Sequence, residues 1–286
     1  MNASPFYCPD TINLGGRLIS LEVPLIMGVI NITEDSFFSD SRVLDPKLLI
    51  SKVGQMISEG ATIIDLGAMS SRPGAAELPI EIEIERLNTA IGAIRANFPD
   101  VILSLDLYRI EILREIPANK INMINDIMGG QYNEEIYEWA GANGLPYILM
   151  HMKGTPLTMK SLAVYDDMIK EILNFFISRI PKLLDAGVKD IIIDPGFGFA
   201  KTVEQNFYLL KHLHVFQMLE FPLLVGLSRK SLVWKTLETT ANDALNGTTA
   251  LHMEALNQGA RILRVHDVKA ANETVKLWSI LNAINT

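Results

Sequence analysis

The chain has 286 residues, 49% of them hydrophobic and 20% charged, with a formal net charge of −8. That length supplies one sizeable core, and the acidic balance excludes a chain drawn to nucleic acid or anionic lipid by its overall charge, so any anion must be met by local cations. Cys8 is the only cysteine, which excludes a disulfide framework and a cysteine zinc site.

The opening "MNASPFYCPD" has neither a basic nor an apolar leader region. No apolar run approaches the roughly 20 residues of a membrane span, so the expected location is the cytoplasm. Residues 11–23, "TINLGGRLISLEV", read as a β-hairpin turning at Gly15 and Gly16. Eight short apolar segments follow: "LIMGVIN" (25–31), "TIIDLG" (62–67), "VILSLD" (101–106), "INMINDI" (121–127), "YILMH" (147–151), "DIIIDPG" (190–196), "PLLVGLS" (222–228) and "RILRVHD" (261–267). Helical stretches separate them. "DPKLLISKVGQMISEG" opens with Asp45 before Pro46 and closes on Gly60, and "DDMIKEILNFFISRIPKLLDAG" closes on Gly187.

Eight strands alternating with helices predict a parallel sheet. The length fits a (β/α)8 TIM barrel better than an open doubly wound sheet. We expect an α/β chain with a single domain over residues 1–286, the barrel proper from about residue 24, and the N-terminal hairpin capping its bottom. The strands end in Asn31, Asp65, Asp106, Asn125 with Asp126, His151, Asp194, Ser228, and Arg264 with His266. Parallel strands put all these ends on one rim, where unpaired polar groups would be costly unless they had a ligand to meet.

Side chains alternate along a strand, so Ser104 pairs with Asp106 on one face, Ile192 with Asp194, and Arg264 with His266. Asn125 and Asp126 point oppositely, and we assign Asn125 to the mouth. "DPGFGFAKT" is neither a P-loop, because residue 200 is Ala, nor a Rossmann fingerprint, because residue 201 is Lys. It reads as a tight turn presenting Phe197 or Phe199 to a ligand, with Lys201 nearby. "GLSRKS" places Ser228 and Ser231 near a helix start, with Arg229 and Lys230 adding charge.

"GVINITEDSFF", "DLGAMSSRPGA", "INDIMGG", "MHMKGTP", "DPGFGFAKT", "GLSRKS" and "RVHDV" together resemble, in order, the signatures of the dihydropteroate synthase family. The resemblance implies a transferase that joins (7,8-dihydropterin-6-yl)methyl diphosphate to 4-aminobenzoate and releases diphosphate by a dissociative, SN1-like route. It implies pterin and diphosphate binding by Ser71, Arg72, Asp106, Asn125, Asp194, Lys230, Arg264, Val265 and His266, with Lys230 and Asp35 in catalytic roles. It implies an aminobenzoate pocket from Phe37, Ser71, Pro73, Phe199 and Ser231. It also implies Mg²⁺ as cofactor with Asn31 as its protein ligand, a homodimer, and membership of the folate-pathway enzymes that sulfonamides target. Phe37 then stands in a polar loop because its partner is the substrate.

Leu107, Met69, Glu34 and Ala200 depart from the family pattern, and Leu107 should point away from Asp106. Two other readings stay open: the pterin-binding barrel of a methyltetrahydrofolate–corrinoid methyltransferase, which would not need "SSRPGA" or "GLSRKS", and a non-catalytic pterin-binding paralogue.

Overall fold

A computed structural model describes residues 8–32, 45–68 and 78–284. Strands β1 (Thr11–Leu14) and β2 (Arg17–Ser20) pair antiparallel, with Thr11 opposite Ser20. Gly15 and Gly16 between them have φ of 62° and 83°, the left-handed pair that a two-residue hairpin turn requires.

Eight parallel strands then close a barrel: β3 (Leu25–Asn31), β4 (Ile63–Gly67), β5 (Ile102–Leu107), β6 (Met123–Asp126), β7 (Tyr147–Met150), β8 (Ile191–Asp194), β9 (Leu223–Val225) and β10 (Ala260–Val265). They follow one another round the ring, and β10 pairs with β3 to seal it. This is the (β/α)8 TIM barrel expected, with one small difference. His151, Ser228 and His266 lie just past the strand ends, not within them.

Helices lie between the strands, among them α1 (Pro46–Glu59), α2 (Ile80–Asn97), α3 (Ile110–Glu115), α4 (Glu135–Ala142), α5 (Met168–Asp185), α6 (Val203–Lys211), α7 (Ser231–Thr236), α8 (Leu245–Asn257) and α9 (Val268–Ala283). The caps read from sequence hold for α1. The Asp45 carboxylate accepts from the Lys47 and Leu48 amides at 2.9 and 3.4 Å, and the chain leaves through left-handed Gly60. Among the described residues no helix is long and apolar enough to cross a membrane.

The strand alternation sorts the core into two. Ile64, Leu66, Leu103, Leu105, Leu107, Ile124, Ile193, Leu263 and Val265 face outward under the helices, so Leu107 does turn from Asp106. Met27, Ile63, Ile102, Met123, Ile148, Ile192, Leu224 and Ile262 fill the barrel's lower interior, and Ile12, Leu14 and Leu21 from the hairpin region plug it from below. Two residues further along five of those strands, on the same face, stand Asp65, Ser104, Asn125, Asp194 and Arg264. The barrel is thus apolar at the bottom and polar at the top, and the seal below leaves the C-terminal mouth as the face where those groups can meet a ligand.

Candidate active site

Arg264 stands at the centre of the mouth. Its Nε donates to Asp65 Oδ2 at 2.7 Å, and its Nη2 donates to Asp106 Oδ2. Asn125 Nδ2 donates to the same Asp65 oxygen at 3.0 Å. Both guanidinium bonds lie in its plane, so a flat face remains for stacking. Asp65, Asp106, Asn125 and Asp194 are all buried, so these are polar groups held out of water by strand geometry.

Asp194 Oδ1 accepts from the Gly196 amide at 2.7 Å, which fixes the start of the loop after β8. Lys230 reaches the mouth from the loop after β9. Its ammonium donates to the Phe197 carbonyl and lies 4.7 Å from the centre of the Phe199 ring. The lysine stem needs a slot: a Cβ on Gly198 would come within 3.0 Å of Lys230 Cδ. Phe199 joins Tyr108, Met128, Met150 and Met152 in an apolar wall along this side. Phe197, by contrast, is buried under the helices and offers only its carbonyl.

The mouth's charges perturb one another. Burial raises the Asp106 carboxyl, against the attraction of Arg264 and with Asp65 adding to the rise. Burial also raises Asp194, against Lys230. Burial lowers Lys230 to about 8, with Asp194 pulling the other way. Burial works against the Arg264 charge, but Asp65 and Asp106 outweigh it and hold the guanidinium above its usual range.

Asn31 closes β3 beside Gly67 of β4, and Gly67 flanks Asp106. A Cβ there would sit 3.3 Å from both Asn31 Oδ1 and Asp106 Cβ, so the glycine lets the amide and the carboxylate stand side by side. Ser231 is the first residue of α7, directly after Lys230. Val265 packs its side chain under the helices, leaving only its backbone for the mouth.

His266 is exposed at the rim; desolvation of its ring, then the Arg264 and Arg229 charges, lower it to about 4. Its backbone N–H and its Nδ1 each lie 3.1 Å from the Ser228 hydroxyl. Two sequence expectations need correction. Arg229 does not add charge to the mouth, because Asp267 takes its Nε and Nη2 at 2.8 and 2.6 Å. Lys201 turns inward, to His151 Nδ1 at 3.1 Å and to the Gly196 and Phe199 carbonyls at 2.9 and 3.1 Å, so it braces the loop from beneath.

The choice between Asn125 and Asp126 holds. Asp126 faces away from the mouth and accepts from Met128 N, Gly130 N and the Tyr147 hydroxyl. Asp65 joins the site although sequence marks it only as a polar strand end; its alternation with Ile63 in "IIDLG" is the signal that puts it inside. Asp35, Phe37, Ser71, Arg72 and Pro73 lie outside the described residues.

A flat, donor-rich ligand edge is what such a set of buried acceptors suits, and known proteins agree. Residues 27–266 match the family described as pterin binding enzyme. The dihydropteroate synthase of Escherichia coli strain K12 is 39% identical over 271 residues, covering 94% of each chain. That of Synechocystis is 40% identical over 279 residues, covering 96% of each. A solved dihydropteroate synthase of Yersinia pestis in complex with a sulfonamide drug superposes with a TM-score of 0.89 at 36% identity, over 96% of this chain and 100% of that one. One from Xanthomonas albilineans with 4-aminobenzoic acid gives 0.88 at 32%, over 96% and 99%. Eight parallel strands with their polar ends gathered at one mouth, and this breadth of likeness to synthases, place the chain in the pterin-binding enzymes as a member of the dihydropteroate synthase family, a family of transferases.

Proposed function

We propose that the mouth binds a dihydropterin carrying a methyl diphosphate and transfers its methylene carbon to the amino group of 4-aminobenzoate. The observation that carries this is the convergence of Asp106, Asn125, Asp194 and Lys230 around the Arg264 guanidinium. Asp106, Asn125 and Asp194 accept from the pterin's N–H edge, and Lys230 donates to its carbonyl and ring nitrogen. The open face of Arg264 stacks on the ring. Each charge-assisted bond contributes about 1.5–3 kcal/mol, and an analogue lacking the edge would strand these groups.

The reaction breaks the bond between the methylene carbon and the bridging oxygen, and the diphosphate leaves with the electron pair. The pterin ring carries the resulting positive charge. The arylamine nitrogen attacks that carbon and then loses a proton to solvent. Nothing in this route needs a covalent protein nucleophile; the chain stabilises the leaving anion and positions the two reactants. Arg264, the Val265 backbone and the His266 ring edge are the described groups beside the diphosphate, and Ser71 and Arg72 are assigned to it from the resemblance alone. Phe199 and Ser231 would line the aminobenzoate pocket together with Phe37, Ser71 and Pro73. Asp35 is assigned a catalytic role on the same ground.

Asn31 offers a magnesium ion one hard oxygen, and among the described residues no group of three or more His, Cys, Asp or Glu stands ready to hold a metal. The residues therefore fit Mg²⁺ as a partner of the diphosphate, not as an ion caged by protein. When bound it would neutralise the leaving group's charge. Leu277, Ile280 and Leu281 on α9 are 60–64% exposed and suit a second copy of the chain, the homodimer implied by the resemblance.

The test is direct. The protein is incubated with the pterin diphosphate, Mg²⁺ and 4-aminobenzoate. Dihydropteroate and free diphosphate should appear in equal amounts. Pterin binding without product would mark a non-catalytic relative, and methyl transfer from methyltetrahydrofolate to a corrinoid would mark the other reaction class.

A further inference from the structure

Asp65 stands on the inner face of the barrel, at the base of the mouth. It is fully buried on β4, in register with Val29 of β3 and Ser104 of β5 and two residues before Gly67, the register partner of Asp106. A single oxygen, Oδ2, accepts from Arg264 Nε at 2.7 Å and from Asn125 Nδ2 at 3.0 Å. Its other oxygen, and the neighbouring Ser104 hydroxyl, are buried without a partner among the described residues.

The shared oxygen has two consequences. The amide nitrogen of Asn125 is the end that faces Asp65, donating to the oxygen that also accepts from the Arg264 guanidinium. The Asn125 carbonyl is then the end turned to the mouth, and the ligand must bring it an N–H. Arg264 is held twice in its own plane, by Asp65 at Nε and by Asp106 at Nη2. Asp106 divides its carboxylate, with Oδ2 on the guanidinium and Oδ1 left for the ligand. Asp65 is 0% exposed and is assigned no ligand contact, so its bond to Arg264 is not shared with the substrate.

We propose that Asp65 is the positioning residue of this site: its one shared, fully buried oxygen fixes the plane of Arg264 and turns the Asn125 carbonyl outward, so that the mouth selects a ring edge that donates a hydrogen bond there. This rests on the pterin reading given above. The same carboxylate couples a recognition group on β6 to a stacking group on β10, two strands that do not pair with each other.

The test is Asp65→Asn, nearly isosteric, with thermal unfolding as the check that it folds. The Asn side chain lacks the charge that holds Arg264, and its own amide can compete for Asn125. We expect kcat/KM for the pterin diphosphate to fall by about 10- to 100-fold while KM for 4-aminobenzoate stays within twofold. A merely structural role would not split the two substrates in this way. Double-mutant cycles of Asp65→Asn with Asn125→Ala and with Arg264→Gln should be strongly non-additive. Additive effects, or equal losses toward both substrates, would overturn the proposal. Should Asp65→Asn not fold, the unaltered protein still decides. In side-chain amide NMR the Asn125 NH₂ protons should be slow to exchange, and on adding 7,8-dihydropterin the Asn125 side-chain carbonyl carbon should shift more than its nitrogen. The reverse order would refute the assigned orientation. Unaltered protein that neither binds the pterin nor forms dihydropteroate would refute the functional reading itself, a result separate from an active enzyme indifferent to Asp65→Asn.

Discussion

Removal of the Lys230 ammonium is the perturbation whose size follows most directly from the structure. Lys230→Ala loses one charge-assisted bond to the pterin, about 1.5–3 kcal/mol. It also loses the ammonium poised 4.7 Å from the Phe199 ring, a contact worth about 0.5–1 kcal/mol. The sum, about 2–4 kcal/mol, corresponds to a fall in kcat/KM of about 30- to 1,000-fold. The pH profile gives a sharper reading. Burial sets the free lysine at about 8, and only its protonated form offers a charge-assisted bond, so kcat/KM for the pterin substrate should fall as pH rises through that value. Lys230→Arg keeps its proton far beyond it, so whatever activity the arginine variant retains should lose this basic limb. The assay is initial-rate formation of dihydropteroate from pH 6 to about 9.5, with the aminobenzoate saturating. An alanine variant within threefold of the parent, or an unchanged basic limb in the arginine variant, would refute the reasoning.

Other perturbations probe the remaining links. Arg264→Gln leaves two buried carboxylates without their cation, and urea denaturation should show a loss of about 3–5 kcal/mol; a loss below about 1 kcal/mol would contradict the pairing with Asp65 and Asp106. Leu14→Ala removes a fully buried residue from the bottom plug, which should cost about 2–5 kcal/mol in denaturation while kcat/KM stays within twofold. His252 on α8 is buried with both ring nitrogens unpartnered among the described residues, and burial lowers it to about 4 from an unfolded value of 6.5. A depressed histidine contributes stability that is complete above 6.5 and lost as pH falls toward 4, up to about 3 kcal/mol here. His252→Leu should therefore flatten that acid limb in unfolding measured between pH 7 and 4.5, and an unchanged limb would assign the loss to other groups. Asn31→Ala should raise the Mg²⁺ concentration needed for half-maximal rate, and an identical Mg²⁺ titration would remove Asn31 from the metal.

Much of the fold was legible because strand and helix leave different periods in the sequence. "VILSLD" and "RILRVHD" each carry apolar residues that end in a charge, and alternation alone assigns Asp106 and Arg264 to the inside and Leu107 and Val265 to the outside. The same rule separated Asn125 from Asp126. What alternation cannot supply is the partner, because partners are chosen by barrel closure between distant segments. Arg229 looks like a spare cation until Asp267, 38 positions on, takes both its donors. Lys201 looks ligand-facing until it meets His151, 50 positions earlier. Asp65 could be placed on the inner face, yet its hold on Arg264 spans 199 positions and appears only when β10 returns to β3. His266 shows a related gap: sequence gives its face, but its charge depends on desolvation of its ring and on cations from other loops.

A crystal structure with the pterin diphosphate bound decides whether one barrel mouth grips a flat heterocycle beside its departing diphosphate. The ring edge should lie within hydrogen-bonding distance of Asp106, Asn125, Asp194 and Lys230, with the Arg264 plane parallel to the ring. A pterin seated elsewhere, or one in this mouth that leaves Asp194 and Lys230 untouched, would contradict that grip.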